Sequence, residues 1–280
     1  MMTRPLIFTD MDGTLLDHYD YCFSSANKVI EALVKKQIPI IANTSKTFAE
    51  MEYLQQKIGF NSPFISENGA AVYIPIGYFS SQPIGTFNQG NYWVKEFCEP
   101  RKQWLQLLET KTSDYATDFI GFSMLSVKQL CELTDLSIEQ AKLAQQRHYS
   151  EPVLWTADEK RKKAFIEHMH SLGANTLQGG RFLHICGHTD KGRAMNWLAQ
   201  VFAHEYQTSV QTVALGDSDN DSAMLEAADI AIQIKSPIHS FPNIITKNKI
   251  IQSQQFGPKG WAECLQALLL NSSTFSLEEL

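Results

Sequence analysis

The stretch Leu6–Asp17, LIFTDMDGTLLD, places two carboxylates, Asp10 and Asp12, directly after the first apolar run of the chain. The run Leu6–Phe8 is short and ends in a polar loop, as a buried strand of a parallel sheet does. Side chains two residues apart in an extended chain point to the same side, so both carboxylates could face one ligand. The stretch alone is also compatible with a structural role, in which an aspartate caps a helix and Gly13 permits a turn.

Strand and helix patterns alternate in the residues that follow. A helical stripe of apolar residues at 26–34 is followed by candidate strands at 38–42, 63–66 and 70–74. The last two are joined by Asn68-Gly69, a strong hairpin signal. This order predicts an α/β fold with a parallel sheet and right-handed crossovers. The same alternation returns after residue 188, where the candidate strands are 212–215, 230–234 and 243–246.

The composition changes between these two halves. Residues 77–91 are rich in Gly, Ser, Asn and Gln, which indicates a linker. Residues 92–187 mix helical stripes with short strands, a pattern typical of a small α+β unit. We therefore predict a Rossmann-like core formed by residues 1–86 and 188–280, with an α+β insert at 87–187. The candidate strands of this insert are 153–156, 175–178 and 181–186.

Composition and charge restrict the function classes. The chain has 280 residues, of which 44% are hydrophobic and 19% charged, so we expect a packed core. A net charge of −6 argues against a general nucleic-acid-binding protein. We find neither a signal-peptide pattern nor an apolar run of about 18 residues, and the cysteines lack CxxC spacing. We therefore expect a cytoplasmic protein without a membrane or nucleic-acid partner, and we expect the tail after Asn271 to fray.

Four polar clusters follow apolar strands or adjoin them, at the edge where parallel sheets bind ligands. They are Asp10–Thr14 (DMDGT), Thr44-Ser45, Lys191-Gly192 and residues 216–221 (GDSDND). Each cluster alone has a simpler explanation: Thr44 could cap a helix, and Lys191 could lie on the surface. Residues 216–221 could form a calcium loop, although the glutamate that completes such a loop is missing. The order and the placement of the whole set favour one shared site.

The chemistry of this set fits phosphoryl transfer. Four carboxylates in one site repel one another unless a cation lies among them, and oxygen ligands beside a phosphate favour Mg²⁺. Lys191 and the Thr44 hydroxyl would contact the phosphoryl oxygens. One aspartate can attack phosphorus, and a second can protonate the leaving oxygen and then activate water. The four carboxylates are Asp10, Asp12, Asp217 and Asp221.

In this order, the four clusters resemble the motifs of the haloacid dehalogenase superfamily of aspartate-dependent phosphatases over most of the chain. The resemblance implies that Asp10 is the nucleophile and Asp12 the acid and base, and that Thr44 and Lys191 complete the catalytic set. It also implies that the insert is a cap that covers the site and selects the substrate. The Mg²⁺ ligands that it implies are Asp10, the backbone carbonyl of Asp12, Asp217 and, close by, Asp221.

Shorter signatures resemble the mannosyl-3-phosphoglycerate phosphatases and their relatives. They are TSKT (44–47), FISENGAAVY (64–73), SEP (150–152), GGRFLHICG (179–187) and GPKGW (257–261). The resemblance implies a substrate in which a phosphorylated glyceric acid is joined to a hexose, and mannosylglycerate as the product. The residues to which we assign substrate binding on this basis are Ser45, Lys46, Glu67, Asn68 and Asn220.

Several questions stay open at this point. Arg147 and Arg181 are candidate cap donors for a carboxylate and sugar hydroxyls, or they serve in surface ion pairs. Asp219 stands where family members usually have proline, and the additional carboxylate could change metal affinity. A general hexose-phosphate phosphatase, a phosphomutase and a non-catalytic sensor of phosphorylated metabolites are alternative functions. The sequence leaves the oligomeric state undetermined.

Overall fold

The structure, a computed structural model, describes residues 3–134, 136–179 and 181–270, so the tail after Asn271 lies outside the described residues. The described residues form one sheet of nine strands and one of four. In chain order the strands are β1 (Arg4–Thr9), β2 (Ile40–Asn43), β3 (Phe64–Ser66), β4 (Ala71–Pro75), β5 (Phe87–Gln89), β6 (Tyr92–Glu96), β7 (Phe119–Gly121), β8 (Glu151–Trp155), β9 (Asn175–Gly179), β10 (Phe182–Cys186), β11 (Val210–Gly216), β12 (Ile230–Lys235) and β13 (Lys249–Phe256).

Strand β1 lies inside the large sheet, whose order is β13-β12-β11-β1-β2-β3-β4-β6-β5. It is parallel to both neighbours, because Thr9 is level with Leu215 of β11 and with Ala42 of β2. All pairs from β13 to β3 are parallel. This arrangement confirms the predicted α/β fold, and it brings the carboxyl ends of β1, β2 and β11 to one edge.

Helices cover both faces of the large sheet. Ile7 of β1 packs against α1, α2 and α9, whereas Leu6 and Phe8 face α7 and α8. This alternation is the period of two that an extended strand imposes, and burial on both faces explains why the whole run is apolar. The α-helices are α1 (Asn27–Lys35), α2 (Phe48–Ile58), α3 (Arg101–Lys111), α4 (Val127–Thr134), α5 (Ile138–Ala144), α6 (Glu159–Ser171), α7 (Lys191–Tyr206), α8 (Ser222–Ala227) and α9 (Gly257–Leu265).

The predicted hairpin joins β3 to β4, which pair antiparallel. Three consecutive turn residues adopt positive φ: Glu67 at 46°, Asn68 at 60° and Gly69 at 90°. A Cβ atom at Gly69 would lie 2.2 Å from the carbonyl oxygen of Asp190, so only glycine fits this approach. The turn is thereby held against the residue that precedes α7.

Strands β5 and β6 extend the large sheet, which differs from the predicted start of the insert at residue 87. Strand β6 pairs with β4, with Val94 level with Tyr73, and β5 pairs with β6. All three residues of β5 are exposed, so no apolar run marks this strand in the sequence. The chain therefore leaves the large sheet only after Glu96, and the remainder of the insert forms a second unit.

This second unit is built on the antiparallel sheet β7-β8-β10-β9. Leu183 on one face packs against α3 and α6, and Phe182 on the other face packs against α4 and α5. The unit has the α+β composition that the sequence indicates for the insert. Its role as a substrate-selecting cap stays a prediction.

The predicted strand at 243–246 is wrong. Residues 243–246 have no regular structure, and the edge strand β13 occupies 249–256 instead. The backbone N–H of Ile245 donates to the Glu226 side chain rather than to a neighbouring strand. Strand β13 was not predicted from the sequence because only Ser253 in it is buried, so it shows no apolar alternation.

Candidate active site

The site begins where β1 and β11 end side by side. The backbone N–H of Asp10 donates to the carbonyl of Leu215 at 2.9 Å, which continues the strand pairing by one residue. Asp217 follows β11 directly, and the two carboxylates are 5% and 4% exposed as residues. Gly13 lies beside them with φ of 77°, and a Cβ there would lie 2.7 Å from Asp217 Oδ2. Glycine at this position therefore lets the chain turn away without displacing Asp217.

Lys191 is buried between two carboxylates. Its Nζ donates to Asp10 Oδ1 at 2.7 Å and to Asp221 Oδ1 at 2.6 Å, and its side chain is 0% exposed. Lys191 is the first residue of α7, which Asp190 caps by accepting from the N–H of Arg193. The cap fixes the start of the helix and hence the position from which the lysine extends.

The loop after β11 folds around the Asp221 carboxylate. Its Oδ2 accepts the backbone N–H groups of Asp217 and Ser218 at 3.0 and 3.2 Å. The Thr14 hydroxyl donates to Asp217 Oδ1 at 3.2 Å, so the first cluster supports the fourth directly. Gly216 is required here because a Cβ would lie 2.4 Å from the Cβ of Asp221. The loop is thus ordered by its own side chains.

Burial changes the ionisation of this cluster. Burial raises the pKa of Asp10 to about 7; Lys191 opposes the shift, and Asp221 adds to it. Burial also raises the pKa of Asp217 to about 7, and the nearby Asp10 carboxylate adds to the shift. Although burial lowers the pKa of Lys191, the Asp10 and Asp221 carboxylates outweigh it and hold the pKa above its ordinary value. Lys191 therefore stays a cation while three carboxylates compete for positive charge.

The same carboxylates meet the requirements of a metal site. Asp10, Asp217 and Asp221 each offer one oxygen, and these oxygens lie within 4.8 Å of one another. The donors are hard oxygens only, which suits a divalent cation such as Mg²⁺. Burial and neighbouring carboxylates raise the pKa of both Asp10 and Asp217, and a bound cation would offset both effects. The residues therefore fit a divalent metal ion.

Asp12 has a different environment from Asp10. Its side chain is 41% exposed, and Oδ1 lies 2.8 Å from Nζ of Lys46, whose side chain is 9% exposed. Burial lowers the pKa of Lys46, but the carboxylates of Asp12 and Glu50 raise it above the ordinary value overall. Two residues apart in sequence, one aspartate is paired with a lysine of α7 and the other with a lysine of the loop after β2.

The loop after β2 and the β3–β4 turn are bonded to each other. The Thr44 carbonyl accepts from the N–H of Asn68 at 2.9 Å, and the Lys46 carbonyl accepts from the N–H of Glu67 at 3.0 Å. Asn68 Oδ1 in turn accepts from Asn220 Nδ2 at 3.3 Å. The second and fourth clusters thus meet through the turn, and Thr44 is completely buried beneath them.

Glu67 and Arg147 connect the two units of the molecule. The Glu67 carboxylate is 1% exposed and accepts backbone N–H groups of residues 148–150 and the Ser150 hydroxyl. Arg147 Nε lies 3.4 Å from Glu67 Oε2 and donates to Ser150 Oγ at 2.9 Å, while Nη2 donates to the Ser45 carbonyl at 2.8 Å. These contacts give Glu67 and Arg147 a structural role, and substrate binding by either residue stays a prediction.

Arg181 is placed differently from Arg147. It is exposed, it precedes β10, and its guanidinium donates to the carbonyl of Leu133 in α4. This contact lies within the second unit, and substrate binding by Arg181 stays a prediction. The roles assigned to the other site residues also stay predictions.

Sequence reasoning missed several residues that support the site. Thr14 donates to Asp217, and Asn43 Nδ2 donates to the Lys191 carbonyl at 2.9 Å. Behind Asp10, Trp261 Nε1 donates to Thr9 Oγ1 at 3.0 Å, and that hydroxyl donates to the Asp10 carbonyl. Signals for Thr14 and Trp261 were present, because both lie within quoted signatures, whereas Asn43 at the end of β2 had none.

Comparison with known families agrees with this geometry. A family model described as haloacid dehalogenase-like hydrolase matches residues 7–255. The match spans most of the chain, and the chain belongs to this family. The predicted superfamily is confirmed.

Curated relatives cover nearly the whole chain. A protein of Methanococcoides burtonii named glucosyl-3-phosphoglycerate/mannosyl-3-phosphoglycerate phosphatase is 37% identical over 95% of this chain and 97% of its own length. A Persephonella marina protein of the same name is 37% identical over 94% of this chain and 97% of its own. Mannosyl-3-phosphoglycerate phosphatase of Pyrococcus furiosus is 32% identical over 87% of this chain and 96% of its own length.

Solved structures show the same fold at low identity. A Thermoplasma acidophilum protein superposes with a TM-score of 0.64 at 16% identity, covering 95% of this chain and 98% of its own. A phosphatase of the haloalkanoate (HAD) enzyme superfamily from Bacteroides thetaiotaomicron superposes with a TM-score of 0.63 at 15% identity, with 95% of each chain covered. Within the described ranges, no helix combines the length and apolarity needed to cross a membrane.

Proposed function

We propose that this hydrolase is a Mg²⁺-dependent phosphatase that converts a glycosyl-3-phosphoglycerate to the glycosylglycerate and inorganic phosphate. Mannosyl-3-phosphoglycerate is the first candidate substrate, and the glucosyl compound is the second. The observation that carries the reaction type is Lys191 buried between Asp10 and Asp221, with Asp217 beside them. The substrate class is supported by two relatives at 37% identity, both named for the glucosyl and mannosyl compounds.

Asp10 is the nucleophile in this proposal. Its carboxylate attacks phosphorus, the bond to the sugar-glycerate oxygen breaks, and an aspartyl-phosphate forms. Asp12 gives a proton to the leaving oxygen and then takes one from the water that hydrolyses the aspartyl-phosphate. The different environments of the two carboxylates suit this division, because Asp10 is buried beside a lysine and Asp12 is partly exposed.

Lys191 and the metal ligands provide positive charge where the phosphoryl group reacts. Lys191 Nζ is held beside Asp10 in a buried site, so its charge acts on the phosphoryl oxygens with little screening. When bound, Mg²⁺ supplies further charge neutralisation and orients the phosphoryl group. Asp10, Asp217 and Asp221 would hold it.

The substrate contacts away from phosphorus are expected from the loop after β2 and the turn above it. Ser45, Lys46, Asn68 and Asn220 lie in segments that are hydrogen-bonded to one another beside Asp12. The second unit reaches the same segments through Arg147 and the Ser45 carbonyl. A cap that closes on this loop would exclude water from the aspartyl-phosphate until hydrolysis. The scattered thiols fit a cytoplasmic enzyme, which is part of this proposal.

A phosphate-release panel tests the proposal. Mannosyl-3-phosphoglycerate, glucosyl-3-phosphoglycerate, 3-phosphoglycerate and mannose 6-phosphate are each assayed with Mg²⁺ and with EDTA. We expect one of the two glycosyl compounds to give the highest kcat/KM, and EDTA to abolish release. Preference for mannose 6-phosphate would indicate a general sugar phosphatase. Isomer formation without phosphate release would indicate a mutase, and tight binding without turnover a sensor.

A further inference from the structure

The pair formed by Lys46 and Asp12 is the part of the site that the reaction just described leaves unexplained. Lys46 Nζ lies 2.8 Å from Asp12 Oδ1. In the proposed reaction the Asp12 carboxylate must reach the leaving oxygen, and a carboxylate engaged by a lysine is held away from that task. Either Lys46 is a permanent partner, or its partner changes when the substrate binds.

Lys46 is held from both sides by contacts with the second unit. The preceding residue, Ser45, accepts from Arg147 through its carbonyl, at 2.8 Å. The following residue, Thr47, donates its hydroxyl to the carbonyl of Leu143 at 3.0 Å. Thr47 also caps α2, since its hydroxyl accepts from the N–H of Glu50. The backbone on either side of Lys46 is therefore fixed, and only its side-chain partner is free to change.

A second carboxylate keeps Lys46 in place if Asp12 leaves. Glu50 Oε1 lies 3.8 Å from Lys46 Nζ, while Glu50 Oε2 accepts the N–H of Thr47 in the capping box. The Tyr21 ring lies 5.3 Å from the ammonium, within the range of a cation–π contact. The ammonium thus has two fixed neighbours and one exchangeable one, which is the partly exposed Asp12.

We propose that the glycerate carboxylate of the substrate replaces Asp12 on Lys46, and that this exchange releases Asp12 toward the leaving oxygen. Once the ammonium no longer stabilises its anion, Asp12 takes up a proton from solvent, to which its side chain is 41% exposed, and this is the proton that it gives to the leaving oxygen. The inference rests on the proposed function, because it needs a substrate with a carboxylate next to the phosphate ester. In 3-phosphoglycerate the carboxylate carbon is three bonds from the leaving oxygen, roughly 4 Å at most. A carboxylate so placed can meet the ammonium while the leaving oxygen faces Asp12.

The exchange makes the substrate carboxylate a requirement for turnover as well as for binding. Hexose phosphates have no such group, so they can bind at Asp10 but leave Asp12 paired with Lys46. The preference for carboxylate substrates over hexose phosphates would then appear in kcat, because the exchange lowers the barrier of the chemical step and does not only strengthen binding. Lys46 is a positioning residue in this scheme and contacts no reacting atom.

The test compares a matched pair of substrates in wild-type protein and in Lys46→Met. The pair is mannosyl-3-phosphoglycerate and mannosylglycerol 3-phosphate, which differ only by carboxylate against CH₂OH. In wild type we expect kcat to favour the carboxylate by at least about tenfold. In Lys46→Met we expect the ratio of the two kcat values to fall to about one, because kcat for the carboxylate substrate falls much further than kcat for its partner. Lys46→Arg should keep most of the preference, and Lys35→Met, on the exposed side of α1, should keep all of it.

The outcomes separate this inference from the proposed function. If wild type hydrolyses mannosyl-3-phosphoglycerate but Lys46→Met lowers kcat for both substrates equally, the exchange is overturned and the function stands. A change in the KM ratio with an unchanged kcat ratio also overturns it, because Lys46 then only binds the carboxylate. If wild type shows no preference for the carboxylate in either parameter, both the exchange and the substrate assignment fail.

Discussion

Two lysines serve the two aspartates of the first motif in different ways. Lys191 is fully buried and contacts Asp10 and Asp221, within one sheet edge that the parallel strands create. Lys46 contacts the partly exposed Asp12 and belongs to a loop that is also bonded to the second unit. The comparison shows that the charge cluster at the sheet edge is fixed by the fold, whereas the loop cluster depends on how two units meet. The cluster around Lys191 suits the phosphoryl-transfer step, and the contacts around Lys46 suit recognition of the rest of the substrate.

The largest effect is expected at the buried lysine. Lys191→Met leaves Asp10 and Asp221 buried without their cation, which costs roughly 3–5 kcal/mol of unfolding free energy at neutral pH. Activity should fall at least about 1,000-fold, because the charge beside the phosphoryl group is lost. Urea unfolding and phosphate release measure the two effects. A variant as active as wild type would show that Lys191 serves stability only.

A second prediction concerns the junction between the two units, which is formed by Glu67, Arg147 and residues 148–150. Substitution there should change stability and substrate binding more than the chemical step. Glu67→Gln replaces one acceptor oxygen by an NH₂ group that faces N–H donors of residues 148–150, at a cost of roughly 3 kcal/mol. We expect lower stability and a higher KM for the large substrate, with hydrolysis of p-nitrophenyl phosphate retained within about fivefold. Glu109→Gln, at an exposed position of α3, is the matched control. Equal losses on both substrates would place Glu67 in the chemical step.

The stability of the metal-free protein should depend on pH through the buried carboxylates at the sheet edge. Burial raises the pKa of Asp217 from 3.8 to about 7, so the native state binds this proton more tightly than the unfolded chain. The contribution of Asp217 is therefore complete below the unfolded value and is lost as pH rises to about 7. Between pH 5.5 and 7 the share of this loss that comes from Asp217 is roughly 1–2 kcal/mol in metal-free protein, and Asp217→Asn should remove that share while the share of Asp10 remains.

Metal binding should show the opposite trend. Mg²⁺ competes with protons on these buried carboxylates, so its stabilising effect should be larger at pH 8 than at pH 5.5. Thermal unfolding of wild type and Asp217→Asn, with Mg²⁺ or EDTA at both pH values, measures both effects. A Mg²⁺-induced change in Tm that is equal at the two pH values contradicts the site.

The smallest effect is expected at Asp219. Asp219 is exposed at the start of the short 3-10 turn Asp219–Asp221, where proline is well tolerated. Asp219→Pro, which restores the residue usual in the family, should change kcat and Mg²⁺ affinity by less than about threefold. Kinetics over a Mg²⁺ titration measure both. A large gain in Mg²⁺ affinity would show that this carboxylate perturbs the metal site despite its exposure.

The sequence predicted the sheet-edge cluster because its members follow apolar strands. Asp10 and Asp217 each come directly after a buried run, and parallel strands must bring such positions together. The edges of the sheet were less predictable, since β5 is exposed and β13 is mostly polar, so neither carries an apolar pattern. For this reason the sequence pattern did not show that β5 and β6 pair within the large sheet, and the bounds of the insert stay a prediction.

The junction could not be predicted from sequence patterns. Glu67 and Arg147 are eighty residues apart, and no periodicity relates a turn of the large sheet to a loop of the second unit. The resemblance suggested substrate binding for Glu67, and position suggested it for Arg147. In the structure their charges meet each other and the backbone, and substrate binding by either residue stays a prediction. The contact of Lys46 with Asp12 was equally hidden, because it depends on the direction of a side chain rather than on the end of a strand.

The nucleophilic role of Asp10 is tested by phosphate release from mannosyl-3-phosphoglycerate with Mg²⁺, measured for Asp10→Asn and wild type side by side. The amide nearly preserves the shape of the side chain but cannot form an aspartyl-phosphate. We predict a fall in kcat of at least about 1,000-fold. The Tm in EDTA should equal or exceed that of wild type, because one of three neighbouring buried carboxylates is neutralised while Lys191 keeps its contact with Asp221. Phosphate release by Asp10→Asn at the wild-type rate would show that Asp10 is not the nucleophile.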